Sequence, residues 1–197
     1  LALLYAEANP SKVLSLVLRG VFLCRKKDIH WFYQEGASQI YPQYWKEYVS
    51  LINHEDADNI LAAYHKMIHS KDLDVSKRAC KEWSLWEGRS SCLILSDEVI
   101  SAFDECSISL AKIESHFFIN DCFIEENQII KNVSKIQDIP CRIVHGQYDI
   151  VCPIEQAYEL HTNYTNSELI IAKDCGHSVL EPNISLELLN IFDNVIS

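Results

Sequence analysis

Two short strand-like stretches constrain this chain more than any other feature. Val13 to Leu18 is a nearly continuous apolar run, and Cys141-Arg142-Ile143-Val144-His145-Gly146 reads as a second buried strand. Runs of that length suit parallel strands covered on both faces. Parallel neighbours cannot be joined by a tight turn, so a long connection must lie between them. From residue 25 to about 125 charged and aromatic residues alternate at helical spacing, and the only glycines there are Gly36 and Gly88. A helical segment set between two strands reads as an insertion on an α/β core.

The rest of the chain follows that division. Residues 1–8 read as part of a helix stopped by Asn9-Pro10. Helices are expected over roughly 28–36, 42–50, 56–68, 74–87 and 97–116, with an amphipathic stretch from Glu126 to Ile136. Beyond the second strand, Pro153 to Tyr164 suits a helix with proline in its first turn. Leu169-Ile170-Ile171 reads as a third strand, and a last helix is expected from about Leu186 to Val195. The expected fold class is α/β. Residues 1–25 and 126–197 form its core, and 26–125 form a helical cap.

Charge and cysteine usage exclude several functions. The formal net charge is -11, which repels nucleic acid and anionic membranes but leaves room for an acidic site that takes a cation. The eight cysteines are scattered and contain no C-x-x-C pair, so a zinc knuckle has no support and no metal is expected. A core-rich chain of this size needs no disulfide framework; reduced thiols and a cytoplasmic setting are expected. Asn132, Asn163 and Asn183 open glycosylation-type triplets, patterns too short to carry weight. No apolar run approaches the roughly 18–20 residues that span a bilayer, and no signal peptide opens the chain. Leu1 is not a start residue and lies inside a helix-favouring stretch, so an upstream segment is expected.

Two loops hold candidate chemistry, and each follows an expected strand. The first is His145-Gly146-Gln147-Tyr148-Asp149, the second Asp174-Cys175-Gly176-His177-Ser178. Sites in open α/β sheets form outside the carboxyl ends of the strands. An Asp after one strand and a His after the next fit the acid–base half of a Ser–His–Asp triad, in the order Ser, Asp, His. Taken singly, Asp149 could be a turn residue and His177 a polar residue flanking a helix. Their order and placement together favour catalysis, with His145 beside the acid in support.

Longer blocks then carry a resemblance. They are Leu18 to Phe22, Trp31 to Ser38, Trp83 to Gly88, Ala111 to Phe118, Ile139 to Pro153 and Gly176 to Ser178. In order and over essentially the whole chain, they resemble the prolyl aminopeptidase, or proline iminopeptidase, family of α/β-hydrolases. The resemblance implies the C-terminal part of an α/β-hydrolase sheet and a serine exopeptidase that releases N-terminal proline from peptides without cofactor or metal. It implies Asp149 as triad acid and His177 as base. It assigns Glu87 and Glu114 to the substrate's free α-amino group, and Phe22, Phe32 and Tyr33 to the proline pocket, with Cys152 close by. Without it, Glu87 would read as a solvated helix residue, and Trp31, Trp45, Trp83 and Trp86 as core packing.

The departures also matter. The G-x-S-x-G elbow and the His-Gly-Gly-Pro-Gly-type loop do not occur, and the resemblance places Leu1 just past the nucleophile. Lys112 and Gln147 stand where arginine is expected, and Cys175 where serine is. The chain by itself is therefore expected to be inactive. Two other readings stay open, a different α/β-hydrolase such as an esterase and a non-catalytic fragment.

Overall fold

A computed structural model describes residues 1–196, with side chains to Asp193. In chain order the main elements are α1 (Ala2–Ala8), β1 (Leu16–Arg19), α2 (Lys26–Tyr33), α3 (Ala37–Ile40), α4 (Pro42–Tyr48), α5 (Ile60–Ile68), α6 (Leu73–Ser90), α7 (Asp97–Ile119), α8 (Gln128–Asn132), β2 (Cys141–Gly146), α9 (Ile154–Asn163), β3 (Ser167–Ala172) and α10 (Pro182–Ile196). They form two compact units. One comprises Leu1–Leu23 and the chain from Asn127 onward, the other Cys24–Glu126.

The first unit is built on a parallel sheet of order β1-β2-β3. Leu16 pairs with Cys141 and Arg19 with Val144; Cys141 pairs in turn with Ser167 and Gly146 with Ala172. β2 is central and buried along nearly its whole length, with only Arg142 partly exposed, as a middle strand of a parallel sheet is expected to be. Successive side chains of a strand point to opposite faces. Val144 therefore joins Ala172, Cys175 and, from α10, Ile184 and Ile191 in one apolar cluster, while His145 lies on the other face. Among the described residues β1 is paired on one side only.

Most helix and strand ends shift by a few residues from the sequence reading, the stretch expected as one helix over 28–36 ends at Tyr33 with a separate short helix after it, and prolines bear on three of the shifts. β1 begins at Leu16 rather than Val13, because a 3-10 turn over Pro10–Lys12 takes up the preceding residues. Pro153 is the N-cap of α9 and not part of its first turn. The last helix starts at Pro182, whose fixed φ suits a first turn, ahead of the apolar periodicity used to place it.

The second unit is helical. Asp72 caps α6 through the Asp74 and Val75 amides, Ser96 caps α7 through Val99, and Asn59 caps α5 through Ala62. These short polar side chains satisfy amide donors that a helix start leaves without partners. The core is aromatic. Tyr48 stacks on Tyr64 at 4.3 Å, and Trp83 and Trp86, one turn apart on α6, pack around them. Trp31 and Trp45 are only half-buried.

Candidate active site

In the α/β unit the loops after β2 and β3 meet backbone to backbone. A β-carbon on Gly146 would fall 1.8 Å from the Gly176 carbonyl oxygen, so only glycine permits the approach. Asp149 is thereby carried to His177. Its Oδ2 accepts a 2.8 Å hydrogen bond from Nδ1 of His177, and its Oδ1 accepts one from the Cys152 amide, also 2.8 Å. The Asp149 carboxylate is buried, and the His177 ring is about one-fifth exposed.

His177 is held on two further sides. The Arg19 guanidinium donates to its carbonyl oxygen. The ring lies against Gly20, which has φ +55° and no side chain to obstruct it. With Nδ1–H directed at a carboxylate, Nε2 carries the lone pair, and among the described residues it has no hydrogen-bond partner. An imidazole so held can accept a proton at Nε2, and the neighbouring carboxylate stabilises the cation that results.

His145 is fully buried beside this pair and does a different job. Its Nε2 donates to the Cys152 carbonyl at 2.8 Å and lies 3.3 Å from Asp149 Oδ2; its Nδ1 accepts from the Val21 amide at 3.3 Å. Both nitrogens are thus engaged in a neutral tautomer. Burial lowers its pKa below the ordinary histidine value, outweighing the opposing charge of Asp149. The side chain links the segment after β1 to the loop after β2. Cys152 takes part through its backbone, and its thiol is buried. Phe22 is half-buried just after β1.

The helical unit holds a second cluster. Glu87 of α6 is buried and Glu114 of α7 half-buried, and their carboxyl groups hydrogen bond to each other. The Tyr33 hydroxyl donates to Glu87 Oε1, and the Trp83 indole N–H donates to Glu114 Oε2 at 3.0 Å. Tyr33 stacks on Trp83 at 4.4 Å, and Phe32 meets Tyr33 edge-on at 4.9 Å. Burial raises the Glu87 pKa well above the usual carboxylate range, and the charge of Glu114 raises it further. Two carboxyl groups in hydrogen-bond contact cannot both ionise cheaply, so an empty pair retains a proton and a cation relieves it.

Sequence reading named both carboxylates but took Trp83 as packing. It is core, and it is also the donor that fixes Glu114. Gly20 and Arg19 lie inside the Leu18 to Phe22 block. Nothing in the local sequence announces that they border His177. Among the described residues no group of three or more His, Cys, Asp or Glu side chains could hold a metal ion. No helix among them is long and apolar enough to cross a membrane.

A parallel sheet with an acid after one strand and a hydrogen-bonded histidine after the next places the chain among the α/β-hydrolases. Two solved structures agree in fold. A protein assigned as a lipase from Acinetobacter baumannii AYE superposes with a TM-score of 0.52 at 16% identity, over 98% of this chain and 56% of that one. A mutant meta-cleavage product hydrolase gives 0.51 at 15% identity, over 100% of this chain and 61% of that one. Within that class the chain is similar along nearly its whole length to proline iminopeptidases. It is 40% identical to the proline iminopeptidase of Xylella fastidiosa (strain 9a5c) over 92% of its length and 59% of that protein. It is 42% identical to that of Arabidopsis thaliana over 96% and 51%, and 32% identical to that of Neisseria gonorrhoeae over 100% and 63%. The chain thus spans between about half and three-fifths of these relatives. No protein-family model matches it.

Proposed function

We propose that this chain is the acid–base and amine-recognition part of a serine exopeptidase that releases N-terminal proline from peptides. The observation that carries this reading is the 2.8 Å contact between buried Asp149 and His177 Nδ1, which leaves Nε2 as the proton acceptor. Asp149 is the acid and His177 the base for a nucleophilic serine of the G-x-S-x-G type, a motif that these 197 residues do not contain. The helical unit is the cap. Its Glu87–Glu114 pair takes the substrate's α-ammonium, and Tyr33 and Trp83 hold the two carboxyl groups in place. Within the same unit Phe32 and Tyr33, which meet edge-on, offer an aromatic wall for the proline ring; a flat apolar ring suits such a wall and loses little freedom on binding. An acidic chain whose eight cysteines form no disulfide fits the cytoplasm.

The test is hydrolysis of proline 4-nitroanilide by a chain that carries this sequence at the relatives' full length. Asp149→Asn keeps the shape but offers Nδ1 the wrong partner, and should lower kcat by about 10⁴. A loss below tenfold with the fold intact would remove Asp149 from the mechanism.

A further inference from the structure

We infer that Cys24 and Cys122 form a thiol–disulfide modification site that ties the two ends of the helical unit together, with small-molecule disulfides such as oxidised glutathione as its reactant. Cys24 is the first residue of that unit, and Cys122 sits in a 3-10 turn, Asp121–Phe123, close to its last. Far apart in sequence, the two thiols hydrogen bond to each other. The same ends are joined by the Lys26 amide, which donates to Glu126 Oε2 at 3.3 Å.

The backbone bears on the inference as well. Asp121, Cys122 and Phe123 have φ of 50°, 53° and 57°, and Cys24 has 58°. L-residues adopt this left-handed conformation at a cost, and three in succession need packing to hold them. Here the turn buries the Cys122 side chain, at 7% exposure, and Cys24 is half-buried. The hydrogen bond from Cys24 also draws the Cys122 thiol below the ordinary thiol range, against the effect of burial. Cys80, Cys141 and Cys175 go the other way, since burial raises each of them. The thiolate is the reactive form, so the hydrogen bond within the pair favours reaction at Cys122, while burial disfavours it at the other three.

The chemistry balances through exchange. The Cys122 thiolate attacks one sulfur of oxidised glutathione, whose S–S bond breaks; one glutathione leaves as thiolate and takes up the proton that Cys122 gave up. Cys24, deprotonated in turn, attacks the Cys122 sulfur of the mixed disulfide and releases the second glutathione, which takes the Cys24 proton. Two protein thiols are oxidised to one disulfide, and one oxidised glutathione is reduced to two thiols. Excess reduced glutathione reverses both steps. The site is independent of the peptidase reading and stands or falls separately.

The experiment is incubation of the purified protein with oxidised glutathione, followed by alkylation with N-ethylmaleimide and non-reducing peptide mass spectrometry. The expected result is a linked Cys24–Cys122 peptide, an intact mass lower by two hydrogens and two fewer alkylated cysteines. Cys24→Ser should stop at a stable glutathione adduct on Cys122, because the resolving thiol is gone. Phenylarsine oxide, which condenses with two adjacent thiols and releases water, should bind the reduced protein one to one and fail on either single serine variant. If a serine variant does not fold, the linked peptide and the arsenical stoichiometry of the unsubstituted protein decide the matter. A lasting glutathione adduct on Cys122 without the link, or modification confined to exposed Cys106, would overturn the assignment.

Discussion

The imidazole of His177 rests on the α-carbon of Gly20, so closely that a β-carbon there would come within 2.8 Å of Cε1. Gly20 also has φ +55°, where an alanine costs about 1–2 kcal/mol in backbone strain alone. Gly20→Ala should therefore act twice, on stability by that amount and on activity by pushing the ring off Asp149. In the full-length protein, kcat for proline 4-nitroanilide should fall by about 10²-fold, the scale of a 1 Å misplacement. Unchanged kcat with only a lowered unfolding midpoint would show that the ring does not need this contact.

Glu87→Gln tests amine recognition and stability together. If Glu87 binds the substrate amine as proposed, the substitution removes one partner of a buried ionic contact, and kcat/KM on free N-terminal proline substrates should fall by about 3–5 kcal/mol equivalent. A 4-nitrophenyl ester lacking the amine should lose far less. Glu87 has a raised pKa in the folded state, caused first by burial, so it is a liability once the pH rises above the ordinary carboxylate value. The glutamine variant should then be more stable than the parent at neutral pH. Equal losses on both substrates together with lowered stability would mean that Glu87 only holds the unit in shape.

His145 predicts a pH slope. Its folded-state pKa is depressed, chiefly by burial, so the unfolded chain takes up a proton first as the pH falls below about 6.5. The stability its neutral form contributes is present above that value and is lost on acidification. His145→Phe leaves the Val21 amide and the Cys152 carbonyl unpaired and should cost about 2–4 kcal/mol. Urea unfolding between pH 5 and 8 should show the variant less stable at pH 8 and less sensitive to pH below 6.5. A parallel slope in both proteins would assign that sensitivity to another group.

Glu7 of α1 is buried, and burial raises its pKa to about 7 against the opposing pull of Lys135 and Asn132. A carboxyl group raised in the folded state destabilises once the pH exceeds its unfolded value and does so fully above its folded one. Glu7→Gln should accordingly stabilise the protein by about 3 kcal/mol above pH 7 and change nothing below about pH 4. Thermal melts at pH 4 and pH 8 check this, and a gain of the same size at both would point to packing rather than charge.

Much of the fold is legible in the sequence because its signals are local. The stretch Cys141 to Gly146 gives β2 to the residue, since Pro140 stops the preceding segment and Gly146 opens the loop that follows. The helical interval is read from its spacing, and the order of Asp149 before His177 needs nothing beyond the strands that precede each. β1 and α10 were misplaced at their starts because a proline turn and a helix-initiating proline set them, where apolar periodicity is silent.

The tertiary structure decided the rest, and for a common reason. Whether Trp83 packs or donates, whether Glu87 is solvated or shares a proton, and whether His145 is a base or a neutral strut all depend on which distant side chain stands within about 3 Å. Those neighbours come from other elements: Glu114 from α7 for Trp83, and Val21 from the segment after β1 for His145. Sequence spacing fixes the period of a helix or strand. It does not fix the register in which two elements meet, and both protonation and hydrogen bonding are set there.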